Sequence, residues 1–209
     1  MIRVIIVDNH PVVRRGLKQI IAAEQDIQVV GEAENAREAI RVIRQTACDA
    51  VVLDITLPDA SGLDVLSQLK SEHPTLPVLI MSIHDEEQYA LRVLKAGASG
   101  YLMKDSLPEE LIKAIRKITA GGKYISSSLA EMLASEVASP GESPHEKLSD
   151  REFQIMCLIA SGKSLKEIGA DLCISEKTVS TYRSRILDKM HMKTKADLVG
   201  YVLQNKLIE

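Results

Sequence analysis

The chain has 209 residues, 45% of them hydrophobic, with no Trp, one Phe and a formal net charge of −3. That is enough for one large domain or two small ones with mainly aliphatic cores. No apolar run approaches the roughly 20 residues of a membrane span. Cys48, Cys157 and Cys173 lie too far apart for a CxxC or Cys/His zinc spacing, so free buried thiols in a reducing compartment are expected.

The N-terminal stretch, Arg3 to Asp8, is β-branched and apolar and reads as a strand rather than a signal peptide. It ends in Asp8-Asn9-His10-Pro11, and Pro11 can open a helix because the first helical turn tolerates proline. Val12, Val13, Leu17, Ile20 and Ile21 then recur at helical spacing to about Glu24. A short second strand over 28–31 follows. A helix capped by Asn35, with Glu38 as its capping-box partner, buries Ala36, Ala39, Ile40 and Ile43. Ala50–Leu53 leads into Asp54 and is stopped by Pro58. A Val-rich apolar run this short reads as a third strand, buried on both faces. A helix carrying Leu63, Leu66 and Leu69 runs from Ser61-Gly62 to before Pro74. The fourth strand, 77–82, closes on Ser82, and a helix over 84–95 stops at Gly97. The fifth strand, 99–104, closes on Lys104, and a helix over 107–120 ends at Gly121-Gly122. Five strands alternating with five helices imply an α/β fold with a doubly wound, five-stranded parallel sheet and right-handed crossovers.

Lys123-Tyr124-Ile125-Ser126 leads to a short helix with Leu129, Met132, Leu133 and Val137, capped by one of Ser126–Ser128. Residues 138–147 carry Pro, Gly and Ser and no apolar residue beyond Ala138, the composition of a flexible linker. From Leu148 onward the pattern is helical throughout. Ser149, Ser164, Ser175 and Thr194 each stand at an N-cap, and Glu152 and Glu167 complete capping boxes. The expected division is therefore 1–122, a linker over 123–147, and a smaller all-α domain over 148–209. Charge is divided along the same lines: −2 over residues 1–125, −3 over 126–147 and +2 over 148–209, with +4 concentrated in 175–195. A local basic patch bears on nucleic-acid binding more than the overall sum does.

Two constellations carry chemistry. Asp8, Asp54, Ser82 and Lys104 all lie at carboxyl ends of strands, and a parallel sheet brings those ends to one edge. Any one of them alone could be a solvated turn residue. Together they outline a Mg²⁺ and phosphoryl site. A carboxylate can bind a hard cation or act as a nucleophile, a lysine neutralises phosphate, and a hydroxyl can donate to its oxygens. In the C-terminal region, two capped helices joined at Cys173-Ile174 read as a helix-turn-helix. The second begins at Ser175 and carries Lys177, Arg183, Arg185 and Lys189. Val179, Ile186, Leu187 and Met190 turn to the core, and Ser180, Thr181 and Ser184 lie on the other face.

The motifs VDNH, LDITLPDASG around Asp54, MS at the fourth strand and YLMKD at the fifth resemble the receiver domain of two-component response regulators, a flavodoxin-like fold. The resemblance implies that Asp54 accepts a phosphoryl group from a sensor histidine kinase. It implies a Mg²⁺ site of Asp8, Asn9, Asp54 and the Thr56 backbone carbonyl. It further implies that Ser82 and Lys104 engage the phosphoryl group and that Tyr101 is the aromatic that turns inward on activation. One departure stands out: Asn9 occupies the place of the usual second acid. An amide oxygen can ligate a hard cation but brings no charge, so weaker Mg²⁺ binding is expected.

The runs LSDREFQIMCLIASGKSLKEIG and ISEKTVSTYRSRILDKM resemble the LuxR-type (NarL/FixJ) DNA-binding domain. This implies four helices, the third entering the major groove, with Lys177, Thr178, Ser180, Thr181, Ser184 and Arg185 as DNA contacts. Many relatives carry Lys at the place of Ser180. TVSTYRSRI looks closest to GacA- and BvgA-type regulators. The fourth helix resembles a dimerisation helix, with Val199, Val202 and Leu203 as contacts or as core. The expected function is a cytoplasmic, phosphorylation-controlled transcription regulator that binds double-stranded DNA as a homodimer and works with RNA polymerase. It is not expected to be an enzyme or to contact membranes. Two other readings remain: a phosphorylation-independent DNA-binding factor with an atypical receiver, which Asn9 favours, and a Mg²⁺-dependent phosphatase, for which the basic helix-turn-helix has no use.

Overall fold

The structure, a computed structural model, describes residues 1–82, 86–126, 129–131, 144–205 and 207–208, with the backbone alone at 86–89 and 146. The chain divides into two compact units, Met1–Met132 and Leu133–Glu209. The first alternates β1 (Ile2–Val7), α1 (Pro11–Ala22), β2 (Ile27–Ala33), α2 (Ala36–Gln45), β3 (Ala50–Asp54), α3 (Gly62–Glu72), β4 (Val78–Ser82), α4 (Glu86–Lys95), β5 (Gly100–Met103) and α5 (Pro108–Thr119). The five strands form one parallel sheet in the order β2-β1-β3-β4-β5. From β1 the chain steps outward to β2, then crosses back over β1 to β3. Right-handed crossovers therefore place α1 on one face and α2 on the other, and the crevice at this reversal opens between the carboxyl ends of β1 and β3.

All five residues of β3 and of β4 are buried, as expected for strands covered on both faces. Alternation sorts their side chains. Val4, Ile6, Val52, Leu79, Met81 and Leu102 join Leu17 and Ile21 of α1 and Leu111, Ile112, Ile115 and Ile118 of α5 in one core layer. Ile5, Val7, Val51, Leu53 and Ile80 are equally buried on the alternate positions.

The sequence expectations hold for each strand and helix of this unit to within a few residues at the ends. Asn35 caps α2 by accepting from the Glu38 N–H at 2.9 Å, but the Glu38 carboxylate turns to the Glu34 N–H (3.0 Å) rather than closing a capping box. Val12, expected on the buried stripe of α1, is 83% exposed. At about 100° per residue it stands on the far side of the helix from Leu17 and Ile21, the buried residues of α1. Beyond α5, Tyr124 forms an isolated parallel bridge with Gly100. Leu129, Ala130 and Glu131 are helical. The rest of the expected linker helix, including Met132, Leu133 and Val137, lies outside the described residues, as do residues 138–143 of the linker.

The second unit opens with a 3₁₀ turn (Pro144–Lys147) and continues with α6 (Asp150–Ala160), α7 (Leu165–Asp171), α8 (Glu176–Lys189) and α9 (Lys195–Gln204). Ser149, Ser164 and Thr194 close full capping boxes with Glu152, Glu167 and Asp197, and Ser175 accepts from the Thr178 N–H. These side chains satisfy N–H groups that the first helical turn leaves without a backbone partner. Phe153, Met156, Ile159, Ile168, Leu172, Val179, Ile186, Leu198 and Val202 form the buried interior of this unit. Of the cysteines only Cys157 is buried; Cys48 is half-buried and Cys173 is exposed, contrary to the expectation of three buried thiols. Cys173 sits in the turn before α8 with a φ of 53°, a left-handed residue that reverses the chain between two helices and leaves the side chain in solvent.

Candidate acidic pocket and nucleic-acid interface

Asp8 follows β1 and Asp54 ends β3, and each is only 2% exposed. The Lys104 ammonium lies between them, 2.6 Å from Asp8 Oδ2 and 2.8 Å from Asp54 Oδ2. Asp54 Oδ1 accepts from the Thr56 N–H at 3.0 Å. Asp8 Oδ1 accepts from the His10 N–H at 2.8 Å and faces His10 Nδ1 at 3.2 Å. Two carboxylates thus share one cation in a buried crevice. Burial pushes the Asp54 carboxyl up to about 6; Lys104 pulls it back down, and the neighbouring Asp8 charge adds to the rise. Such a group titrates close to neutrality, which suits a carboxylate that must react.

The backbone around Asp54 is tightly held. Gly62 N donates to the Ile55 carbonyl at 2.8 Å, and Thr56 bridges Ser61 across the loop. A Cβ on Gly62 would stand 2.4 Å from the Asp54 carbonyl oxygen and 2.6 Å from Ile55 Cα, so only glycine lets α3 start this close to the end of β3. Ser61 caps α3 in a box with Asp64. Asp59, in the same loop, accepts from the Ala36 and Arg37 N–H groups at 2.8 and 3.2 Å and so ties the loop to the start of α2.

Of the four strand-end groups expected to converge, Asp8, Asp54 and Lys104 are in direct contact. Ser82 is fully buried at the end of β4, and its carbonyl accepts from the Lys104 N–H at 2.8 Å. Tyr101 is 2% exposed within β5, opposite Ile80. Thr56 adjoins Asp54 through its N–H, as above. Asn9 Oδ1 is buried, and among the described residues it has no hydrogen-bond partner. An unpaired buried oxygen beside two carboxylates is what a hard divalent cation would satisfy, so the residues present fit Mg²⁺.

Sequence reasoning missed two neighbours. His10 contributes a ligand atom to a group with Asp8 and Asp54 whose members lie within 4.8 Å of one another. Its place two residues after a strand-end acid, the spacing of an Asx turn, was the available signal. Arg14 donates to the Asp8 carbonyl at 2.6 Å and lies 3.7 Å from Glu32 and 3.9 Å from Glu34. No pattern of side chains announces a bond to a main-chain carbonyl.

In the second unit, Lys177, Thr181, Ser184 and Arg185 are exposed along α8, while Val179 and Ile186 are buried on its opposite side. Thr178 and Ser180 are half-buried at the border. Two hydroxyls of this face are engaged within the helix: Thr178 Oγ1 with Ser175 Oγ at 2.7 Å, and Thr181 Oγ1 donating to the Lys177 carbonyl at 3.0 Å. The Arg185 guanidinium lies 6.0 Å from the Tyr182 ring centroid. Lys189 is not part of the basic face; its ammonium binds the buried Glu152 carboxylate at 2.7 Å and fastens α8 to α6. The arrangement is a helix-turn-helix whose second helix offers cations and short polar groups along one side. On α9, Val202 is core, Leu203 is 54% exposed and Val199 is half-buried, which separates the three expected dimer contacts.

Residues 4–116 match the response regulator receiver domain family, and residues 146–202 match the bacterial regulatory proteins of the luxR family. The chain is 34% identical to response regulator GacA of Pseudomonas aeruginosa, over 100% of this chain and 99% of that protein. It is 34% identical to response regulator UvrY of Escherichia coli, over 99% of this chain and 96% of that one. A crystal structure of a LuxR-family two-component response regulator from Aurantimonas sp. SI85-9A1 superposes with a TM-score of 0.61 at 37% identity, covering 66% of this chain and 99% of its own.

Proposed function

The chain belongs to the LuxR-family DNA-binding response regulators of two-component systems, and on that premise we propose that Asp54 is its phosphoacceptor, in a receiver of residues 1–122 joined by a linker of 123–147 to a DNA-binding domain of 148–209. The observation that carries this assignment is the Lys104 ammonium held between Asp54 and Asp8 in a crevice at the sheet's reversal. An Asp54 carboxylate oxygen attacks the phosphorus of the kinase's phosphohistidine. A P–O bond forms, the P–N bond breaks, and the ring nitrogen keeps the bonding pair. The Thr56 N–H and Lys104 orient the nucleophile, and Lys104 then pairs with the phosphoryl oxygens, where the Ser82 hydroxyl donates a hydrogen bond. Mg²⁺ bound by Asp8, Asn9, Asp54 and the Thr56 carbonyl would neutralise charge on the transferring group.

Phosphorylation replaces the single charge of the Asp54 carboxylate with about −2 on the phosphoryl group and brings three strong acceptor oxygens into a buried crevice. Drawing Lys104 and Ser82 onto the phosphoryl group shifts the ends of β4 and β5; Tyr101, expected to turn inward on activation, is already buried within β5 and moves with the strand. The result is a population shift toward a state that binds DNA through α8 and favours a homodimer. Lys177, Thr178, Ser180, Thr181, Ser184 and Arg185 contact DNA, and the exposed Leu203 with Val199 is the better candidate for the dimer contact, Val202 being core. The partners are a sensor histidine kinase, double-stranded DNA and RNA polymerase. No helix among the described residues is long and apolar enough to cross a membrane. As a DNA-binding regulator the protein works in the cytoplasm, and it turns over no substrate of its own.

The test is promoter binding by the full chain with and without a small-molecule phosphodonor and Mg²⁺. The donor is expected to tighten binding by on the order of tenfold. The Asp54→Ala chain should bind DNA equally with and without it. Equal, tight binding by the untreated, treated and Asp54→Ala chains would instead favour the phosphorylation-independent reading that Asn9 keeps open.

A further inference from the structure

We propose that residues 123–126, the first of the linker, act as a strap on the outer edge of β5 that carries the state of the Asp54 pocket toward the DNA-binding domain, with Gly100 as its seat. The proposal rests on Asp54 being the phosphoacceptor. β5 ends the sheet, so its outer edge offers backbone groups to whatever lies alongside. Here the chain's own continuation past α5 takes them. Tyr124 N donates to the Ser99 carbonyl at 3.0 Å, and Tyr101 N donates to the Tyr124 carbonyl at 3.0 Å. The Lys123 ammonium donates to the Ala98 carbonyl, and the Tyr124 hydroxyl to Glu110 of α5. The Lys117 ammonium lies 5.8 Å from the centre of the Tyr124 ring.

The seat depends on a missing side chain. A Cβ on Gly100 would stand 2.8 Å from the Tyr124 carbonyl oxygen and 3.0 Å from both Tyr124 Cβ and Leu79 Cδ1. Two of these are parts of the strap itself, so any larger residue pushes it off β5. The strap is also joined to the pocket through one short piece of backbone. Tyr101, which donates to the strap, precedes by three residues Lys104, whose ammonium holds both pocket carboxylates and whose N–H holds the end of β4. When Lys104 follows the phosphoryl group, β5 moves, and the strap moves with it through the two backbone hydrogen bonds so long as the Lys123 and Tyr124 side chains keep it seated. The same contact runs both ways: a strap held by the DNA-bound state in turn holds β5 and Lys104 against the phosphoryl group, and so changes how long that group persists on Asp54.

Full-length Gly100→Ala tests this, with Lys123→Ala/Tyr124→Phe as a second variant that removes the side-chain holds and leaves the sheet core intact. Three quantities are read: the rate of Asp54 phosphorylation by a small phosphodonor, the ratio of DNA affinities with and without phosphorylation, and the phosphoryl lifetime with and without DNA. Both variants are expected to phosphorylate within about twofold of wild type while the affinity ratio falls from on the order of tenfold toward one and the DNA effect on lifetime disappears. A wild-type ratio in the variants overturns the strap, as does a phosphorylation rate that collapses together with the ratio, because the segment would then only support the pocket. If Gly100→Ala does not fold, the double variant decides by the same criteria. A wild-type chain that takes no phosphoryl group fails at the first measurement, and overturns the functional reading and the strap together.

Discussion

At Asp54 the fold holds a carboxylate almost wholly out of water, and burial raises its pKa to about 6 from a reference of 3.8. Below about pH 4 folded and unfolded chains both keep this proton, and the group has no effect on stability. Between about 4 and 6 only the folded chain keeps it, so stability falls as pH rises; above 6 the whole cost is present. Asp54→Asn should therefore stabilise the metal-free chain by about 2–3 kcal/mol at pH 8 and by little at pH 4, read from urea unfolding in EDTA at both pH values. An equal gain at both would mean that packing, not charge, is responsible. Asn9 is the other residue with a measurable signature. Its buried oxygen can bind a cation but adds no charge, so Asn9→Asp should tighten Mg²⁺ by on the order of tenfold in a direct titration. Equal affinities would show that the second acid is dispensable. The identities of Asp8, Asp54 and Lys104 as a set were legible in the sequence because strand ends in a parallel sheet share an edge. His10 and Arg14 were not, since one acts through a local turn and the other through a backbone carbonyl.

Helices and strands were legible for a common reason: each announces itself locally. Four helices of the second unit begin at Ser or Thr, and every one of those side chains accepts from the N–H group three residues on. Burial on one face was harder to foresee. Val12 belongs to the apolar run of α1 but faces away from its buried Leu17 and Ile21, and Val202 and Leu203 are sequence neighbours with opposite fates. The same limit applies to charge on α8. Lys189 belongs to the basic run, yet Glu152 of α6 claims it, while Arg185 on the same helix is exposed. Arg185→Ala should lower the slope of log affinity against log salt by about one, whereas Lys189→Ala should leave the slope unchanged and reduce thermal stability. A lowered slope for Lys189→Ala would place that side chain on DNA and refute its assignment to the ion pair with Glu152.

For the whole molecule, alternation of strands and helices determined a parallel sheet, and a basic, wholly helical C-terminal stretch determined a second kind of domain. Those features repeat within a few residues of themselves, and propensity, capping and periodicity are local physics. The motifs around Asp54 and in α8 pointed to the family that the relatives support. Tertiary structure alone decided three things. It placed Lys104 between two carboxylates fifty and more residues away, made Gly62 and Gly100 sites of close backbone approach, and laid Tyr124 along β5. Each of these pairs groups that are distant in the chain, or depends on a backbone atom or an absent Cβ. A sequence records which side chains exist; the space between them, and the main chain that fills it, exist only after folding.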